Sequence, residues 1–159
     1  MKKNLTDNEL MRLAIRLANE NVDNGGGPFG AVIAKDGEVV ATGVNRVTAQ
    51  HDPTAHAEVS AIRAACDKLQ TFDLSGCTIY SSCEPCPMCL GAIYWAKISR
   101  MFYANTKRDA AAIDFADDFI YHELDLPLSE RHLPSEQIMH EEALETFRKW
   151  AAKTDKIEY

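Results

Sequence analysis

Along the first quarter of the chain the spacing of apolar positions changes character. Met11, Ala14, Ile15, Ala18 and Val22 recur three and four apart, the repeat of one helical face. Thr6 followed by Glu9 supplies a capping box, so the pattern predicts a first helix running to about Val22. Asn24-Gly25-Gly26-Gly27-Pro28 ends it, because glycine weakens helices and the residue before proline is pushed out of the helical region. The next stretch, FGAVIAKDGEVVATGVN, holds two β-rich runs around Asp36-Gly37, a dipeptide suited to a tight hairpin turn. It predicts two antiparallel strands.

Val59, Ile62, Cys66 and Leu69 mark the apolar stripe of a second helix. Cys77 to Ser82, CTIYSS, reads as a strand that leads into a cluster of cysteines. From Cys86, CPMCLGAIYWA reads as a third helix and RMFYAN as a further strand. Strand, helix and strand in that order make neighbouring strands parallel, so the pattern predicts an α/β fold whose mixed sheet begins with an antiparallel hairpin. After Asn105 a loop-rich acidic region is expected, then a helix from about Glu141 to Ala152 with Leu144, Phe147, Arg148 and Ala151 on one face. No repeat, low-complexity tract or linker interrupts residues 1–159, which are read as one domain.

Composition supports a water-soluble protein: 46% hydrophobic and 26% charged residues. The start, MKKNLTDNELMRL, has two lysines and no apolar run behind them, so neither an export signal nor a membrane span is expected there, and a cytoplasmic setting is. Five cysteines, an odd number, then favour reduced thiols over a disulfide framework. The formal net charge is -7, and Asp109 to Glu145 carries eleven acidic residues against one basic residue, Arg131. Such a surface repels phosphate backbones, which argues against DNA or long RNA as partners.

The chemistry gathers at two places. Cys86 and Cys89 are three apart at the predicted start of a helix, where their sulfurs share a face and the helix dipole favours thiolates. His56-Ala57-Glu58 opens the preceding helix. In a βαβ sheet both helix starts lie at the carboxyl ends of the strands, so His56, Cys86 and Cys89 can converge on one ion. Three such ligands leave tetrahedral zinc a fourth position for water, whose pKa the metal lowers to about 7. Glu58, not a ligand, would carry the proton. An H-x-E followed by P-C-x-x-C is the signature of zinc deaminases, matched by HAE at 56–58 and PCPMC at 85–89. Were Cys83 a fourth ligand, the site would be closed and the protein a structural zinc module; its place at a strand end argues that it is not one. Cys66 and Cys77 read as small buried hydrophobes, and His51, His122, His132 and His140 as ordinary polar residues.

HAEVSAIRAA together with SSCEPCPMCLGAIYWA resembles the cytidine deaminase-like superfamily, in the branch of nucleobase and tRNA adenosine deaminases. More narrowly, GGPFGAVI at 26–33, HDPTAHAE at 51–58, DDFIY at 117–121 and the terminal KIEY are similar to bacterial guanine deaminases. The resemblance covers nearly the whole chain. It implies a three-layer α/β/α fold with a mixed, mostly five-stranded sheet, one zinc per subunit, and hydrolysis of a small purine, guanine, to xanthine and ammonia. It further implies Glu58 and Asp117 as catalytic residues, with Asp114 and Asp118 as competing matches for Asp117. Asn45, Phe29 and Tyr159 would contact the base, and a homodimer would exchange its C-terminal segment so that Tyr159 serves the neighbouring site. From the residues alone, Asn45 reads equally as a turn residue, Phe29 as core and Tyr159 as a frayed end. Adenosine in tRNA or another aminated heterocycle is the alternative substrate.

Overall fold

The computed structural model describes residues 4–159; Lys2 and Lys3 of the basic start lie outside the described residues. The predicted capping box is present. Thr6 Oγ1 accepts from the Glu9 N–H and the Glu9 carboxylate accepts from the Thr6 N–H at 2.8 Å, which starts α1 at Asp7–Asp23. Its buried face is Leu10, Ala14, Ala18 and Asn21, while Ile15 and Val22 are exposed, so the stripe is rotated from the one that the hydrophobic spacing marks. Small residues explain the rotation, since they let the helix lie close on the sheet. A Cβ on Gly30 would sit 2.4 Å from the Ala14 carbonyl oxygen, and one on Gly43 2.3 Å from that of Ala57 on the opposite face.

The hairpin forms as expected, β1 (Gly30–Lys35) pairing antiparallel with β2 (Glu38–Val44). Asp36 and Gly37 both have positive φ, 52° and 77°, the combination of the tight turn whose twist matches that of the strands. A short helix, α2 (Val47–Gln50), precedes α3 (Ala57–Leu69). There too the buried line runs through Ala57, Ala61 and Ala65, with Ile62 and Cys66 at its margin and Leu69 exposed. β3 (Thr78–Cys83), α4 (Pro87–Trp95) and β4 (Arg100–Asn105) complete the predicted βαβ unit, with β3 and β4 parallel.

The sheet order is β2-β1-β3-β4. Helix α1 covers one face through Leu10 and Ala14 on Val32, Ala34 and Tyr80, and α3 and α4 cover the other through Ala57, Ala61, Ala65 and Ile93 on Ala31, Ile33 and Ile79. The α/β class and three layers are those expected. The sheet has four strands among the described residues, however, and not the mostly five expected. The chain leaves β4 into a second capping box, in which Thr106 Oγ1 accepts from the Asp109 N–H and the Asp109 carboxylate from the Thr106 N–H. This turns it into α5 (Lys107–Ala111) instead of another strand. The segment expected to be loop-rich is interrupted by short helices, α5, then α6 (Asp118–Leu124) and a 3-10 turn at Leu128–Glu130, with turns and irregular chain between them.

The chain divides into two compact units, Met1–Phe119 and Ile120–Tyr159. Within the second, Arg131 donates from Nε to the carbonyls of Glu123 and Leu126 at 2.9 and 3.2 Å, and His132 pairs with Glu123. Its main element is α7 (His140–Ala152), beginning one residue before the predicted helix. None of its residues is buried, and Phe147 is exposed.

Candidate active site

Two helix starts meet the end of one strand here. His56 is the N-cap of α3 and Cys86 the N-cap of α4, both with extended backbone. Cys89 lies within the first turn of α4 and is fully buried. His56 Nδ1 lies 3.5 Å from the sulfur of Cys86 and 3.5 Å from that of Cys89. The three ligand atoms fall within 4.8 Å of one another, a spacing that one ion can bridge and a donor set of soft sulfur and imidazole that suits zinc.

Charge is organised for a cation. The pKa of Cys86 is pushed down to about 4, first by the hydrogen bond from Cys89 and, against burial, by that from His56. Cys89 is pushed up because the Cys86 thiolate holds its proton and the surroundings are desolvated. His56 is raised above its ordinary range chiefly by its hydrogen bond with Cys86, burial opposing. The trio therefore shares protons that a divalent ion would displace.

Cys83 does not belong to this group. Its thiol lies 3.6 Å from the Thr106 carbonyl oxygen, and its pKa is pushed up to about 11, first by burial and then by the nearby carboxylates of Glu58 and Asp117. Its sulfur is bonded elsewhere, and the close group of ligand atoms is formed by His56, Cys86 and Cys89 without it. Cys66 and Cys77 are free thiols, Cys77 buried and Cys66 at the core margin, as their lack of close partners in sequence suggested.

Glu58 sits in the first turn of α3 and is 5% exposed. Its Oε1 is 2.5 Å from the hydroxyl of Ser81, which also lies 2.6 Å from the Cys83 carbonyl oxygen. Ser81 thus fixes the carboxylate from the strand below, a partner that the motif alone did not reveal. The available signal is strand alternation: Ser81 faces the same side as Ile79 and Cys83, two residues away in either direction, and that side is buried.

Of the three downstream aspartates, Asp114 and Asp118 are exposed and Asp117 is half-buried. Asp117 Oδ1 is buried with no hydrogen-bond partner, and burial, with smaller contributions from Cys86 and Asp118, raises the pKa of its carboxyl. An orphaned carboxylate oxygen in a polar site is a group waiting for a proton or a ligand. Phe29 is partly buried and meets Phe115 edge to face, with ring centroids 5.0 Å apart. Asn45 follows β2; its Oδ1 accepts from the Val47 N–H at 3.2 Å, so it is a turn residue as well as a candidate contact. Tyr159, in the second unit, is 74% exposed.

Residues 5–105 match the profile of the cytidine and deoxycytidylate deaminase zinc-binding region. The chain belongs to this deaminase family. Among relatives, it is 53% identical to the guanine deaminase of Bacillus subtilis (strain 168), over 94% of this chain and 96% of that one. The X-ray structure of guanine deaminase from Bacillus subtilis superposes with a TM-score of 0.95 at 51% identity, covering 98% of this chain and 99% of that one. The tRNA-specific adenosine deaminase of Aquifex aeolicus is 34% identical, over 90% of this chain and 92% of that one. Membership of the deaminase family makes zinc the metal that His56, Cys86 and Cys89 suit.

Proposed function

We propose that the chain is a hydrolase that converts guanine and water to xanthine and ammonia. What carries the deaminase reading is the buried Glu58, held by Ser81, at the start of the same helix that His56 caps. What favours guanine over adenosine in tRNA is the likeness over nearly the full chain to a guanine deaminase, at 53% identity against 34% for the tRNA enzyme.

The zinc, when bound, supplies a Lewis acid that makes water a nucleophile at neutral pH. Glu58 accepts one proton from the attacking water and delivers it to a ring nitrogen, then takes the second proton from the hydroxyl added at C2 and delivers it to the amine leaving that carbon, acting in turn as base and acid. Its fixed seat on Ser81 keeps one oxygen engaged and leaves the other to move the proton. Asp117, with an unpartnered oxygen and a raised pKa, assists substrate binding and proton transfer. Asn45 holds the base by its amide, and Phe29 offers an aromatic face to the purine.

In this reading residues 1–159 form one catalytic domain, cytoplasmic and dimeric, with the C-terminal segment exchanged so that Tyr159 closes the partner's site. The absence of any buried residue on α7 and the exposure of Phe147, Ile157 and Tyr159 support such an exchange, since apolar groups of this size gain from being covered. No described helix is long and apolar enough to cross a membrane.

The substrate is tested by ammonia release from guanine, guanosine, adenine, cytosine and a tRNA anticodon stem-loop with zinc-loaded protein. Turnover of guanine alone is expected; turnover of the RNA alone would overturn the assignment. Removing residues 155–159 is expected to abolish guanine turnover with zinc retained, and survival of both dimer and activity would end the swapped-tail idea.

A further inference from the structure

Asn21, in the last turn of α1, is the one polar residue on that helix's buried face. Its Nδ2 donates both hydrogens, to the Gly27 carbonyl at 2.8 Å and to the Asn45 carbonyl at 2.8 Å. Its own carbonyl accepts from the Gly26 N–H at 2.8 Å, and Gly26 lies directly against its amide. One side chain thereby ties the glycine loop before β1 to the residue after β2. The tie continues on both sides: the Asn45 N–H donates to the Phe29 carbonyl at 3.2 Å, the Arg46 N–H to that of Ala55 at 2.9 Å, and the Asn45 amide packs on Gly27.

We propose that Asn21 is a positioning residue for the substrate, setting the Asn45 amide and the Gly27-Pro28-Phe29 turn as one wall of the base-binding pocket. This rests on the reading that Asn45 holds the base. The choice of side chain follows from its chemistry. A primary amide presents two hydrogens from one nitrogen, so it spans two carbonyls that face the same point. Aspartate has the same shape but would set acceptor against acceptor, leucine has the shape and no donor, and serine has one hydrogen for two partners. Nothing in this role involves the metal-binding trio or Glu58, so the effect should fall on substrate binding and leave the chemical step. Alanine is a poor probe, because the side chain borders a cavity of about 290 Å³, lined also by Leu17, Val44 and Arg46, that would admit water to the two carbonyls.

The test is a double-mutant cycle read as KM and kcat for guanine, with zinc content and Tm measured on each protein: wild type, Asn21→Leu, Asn45→Ala and both together. Asn21→Leu is expected to raise KM about tenfold with kcat within about threefold, and to add less than about twofold in the Asn45→Ala background, since residues acting through one contact are not additive. Asn21→Asp, which keeps the volume, carries the same test should Asn21→Leu fold poorly, with a KM effect at least as large. A lowered Tm with unchanged KM, or KM effects that multiply in the double variant, would overturn the positioning role. If Asn45→Ala alone leaves KM unchanged, the base-holding role of Asn45 fails first and the proposal falls with it.

Discussion

Glu58→Gln is expected to keep its zinc and its fold while losing guanine turnover by about 10²- to 10⁴-fold, the range that a positioned proton carrier contributes. The substitution keeps the shape of the side chain and an oxygen for the Ser81 hydroxyl, which now lies 2.5 Å from Oε1, so the protein loses the acid and base function and little else. Because Glu58 is 5% exposed, bulk water cannot readily replace the missing proton carrier. The loss should appear in kcat, since the step removed is made in the transition state. A non-catalytic zinc protein would show no change at all, and unaltered turnover beside intact zinc would sink the enzyme reading. Asp117→Asn should cost less, because the amide can still occupy the seat of the unpartnered oxygen and donate a hydrogen bond there.

Much of this arrangement was legible in the chain. The alternation around Asp36-Gly37, the capping box at Thr6 and the order of strand, helix and strand each produced the element expected, because each rests on a local rule that the tertiary structure had no reason to override. Which face of each helix is buried was less legible. Hydrophobic spacing selects the largest apolar residues, whereas α1 and α3 press alanines onto Gly30 and Gly43, and close approach outweighed side-chain size. The fifth strand was expected from resemblance and not from local pattern; the Thr106 box shows why the chain turns to helix instead.

The site divides in the same way. His56, Glu58, Cys86 and Cys89 lie at helix starts, where spacing along the chain becomes proximity in space, so their grouping follows from sequence. Asp117 differs from Asp114 and Asp118 in being half-buried with an unpartnered oxygen, a difference that spacing along the chain does not show. Ser81 and Asn21 escaped notice because a serine in a strand or an asparagine near a helix end is usually solvated or capping. Only the packed structure shows that both are enclosed, and a buried polar group requires partners.

Cys89→Ser is expected to lose the zinc, and with it both activity and a substantial part of the thermal stability. Cys89 is fully buried within the first turn of α4, with its sulfur 3.5 Å from His56 Nδ1. A serine hydroxyl there cannot become the soft anion that zinc prefers, since its pKa is far above that of a thiol. An ion held by His56, Cys86 and Cys89 would join the starts of α3 and α4, so its loss would remove a link between two helices, and binding to the folded state alone is stabilisation. Chelation of the wild type should lower Tm in the same direction, and protons should compete with the metal as pH falls, because the ligands bind it only when deprotonated. Cys83→Ser is the control: its thiol faces the Thr106 carbonyl, a bond that serine can also make, so zinc content should stay near one per chain with turnover intact. Stoichiometric zinc in Cys89→Ser, or its disappearance from Cys83→Ser, would mean that the metal is held by a different set of ligands and that the position left open for water is not where the His56, Cys86 and Cys89 cluster puts it.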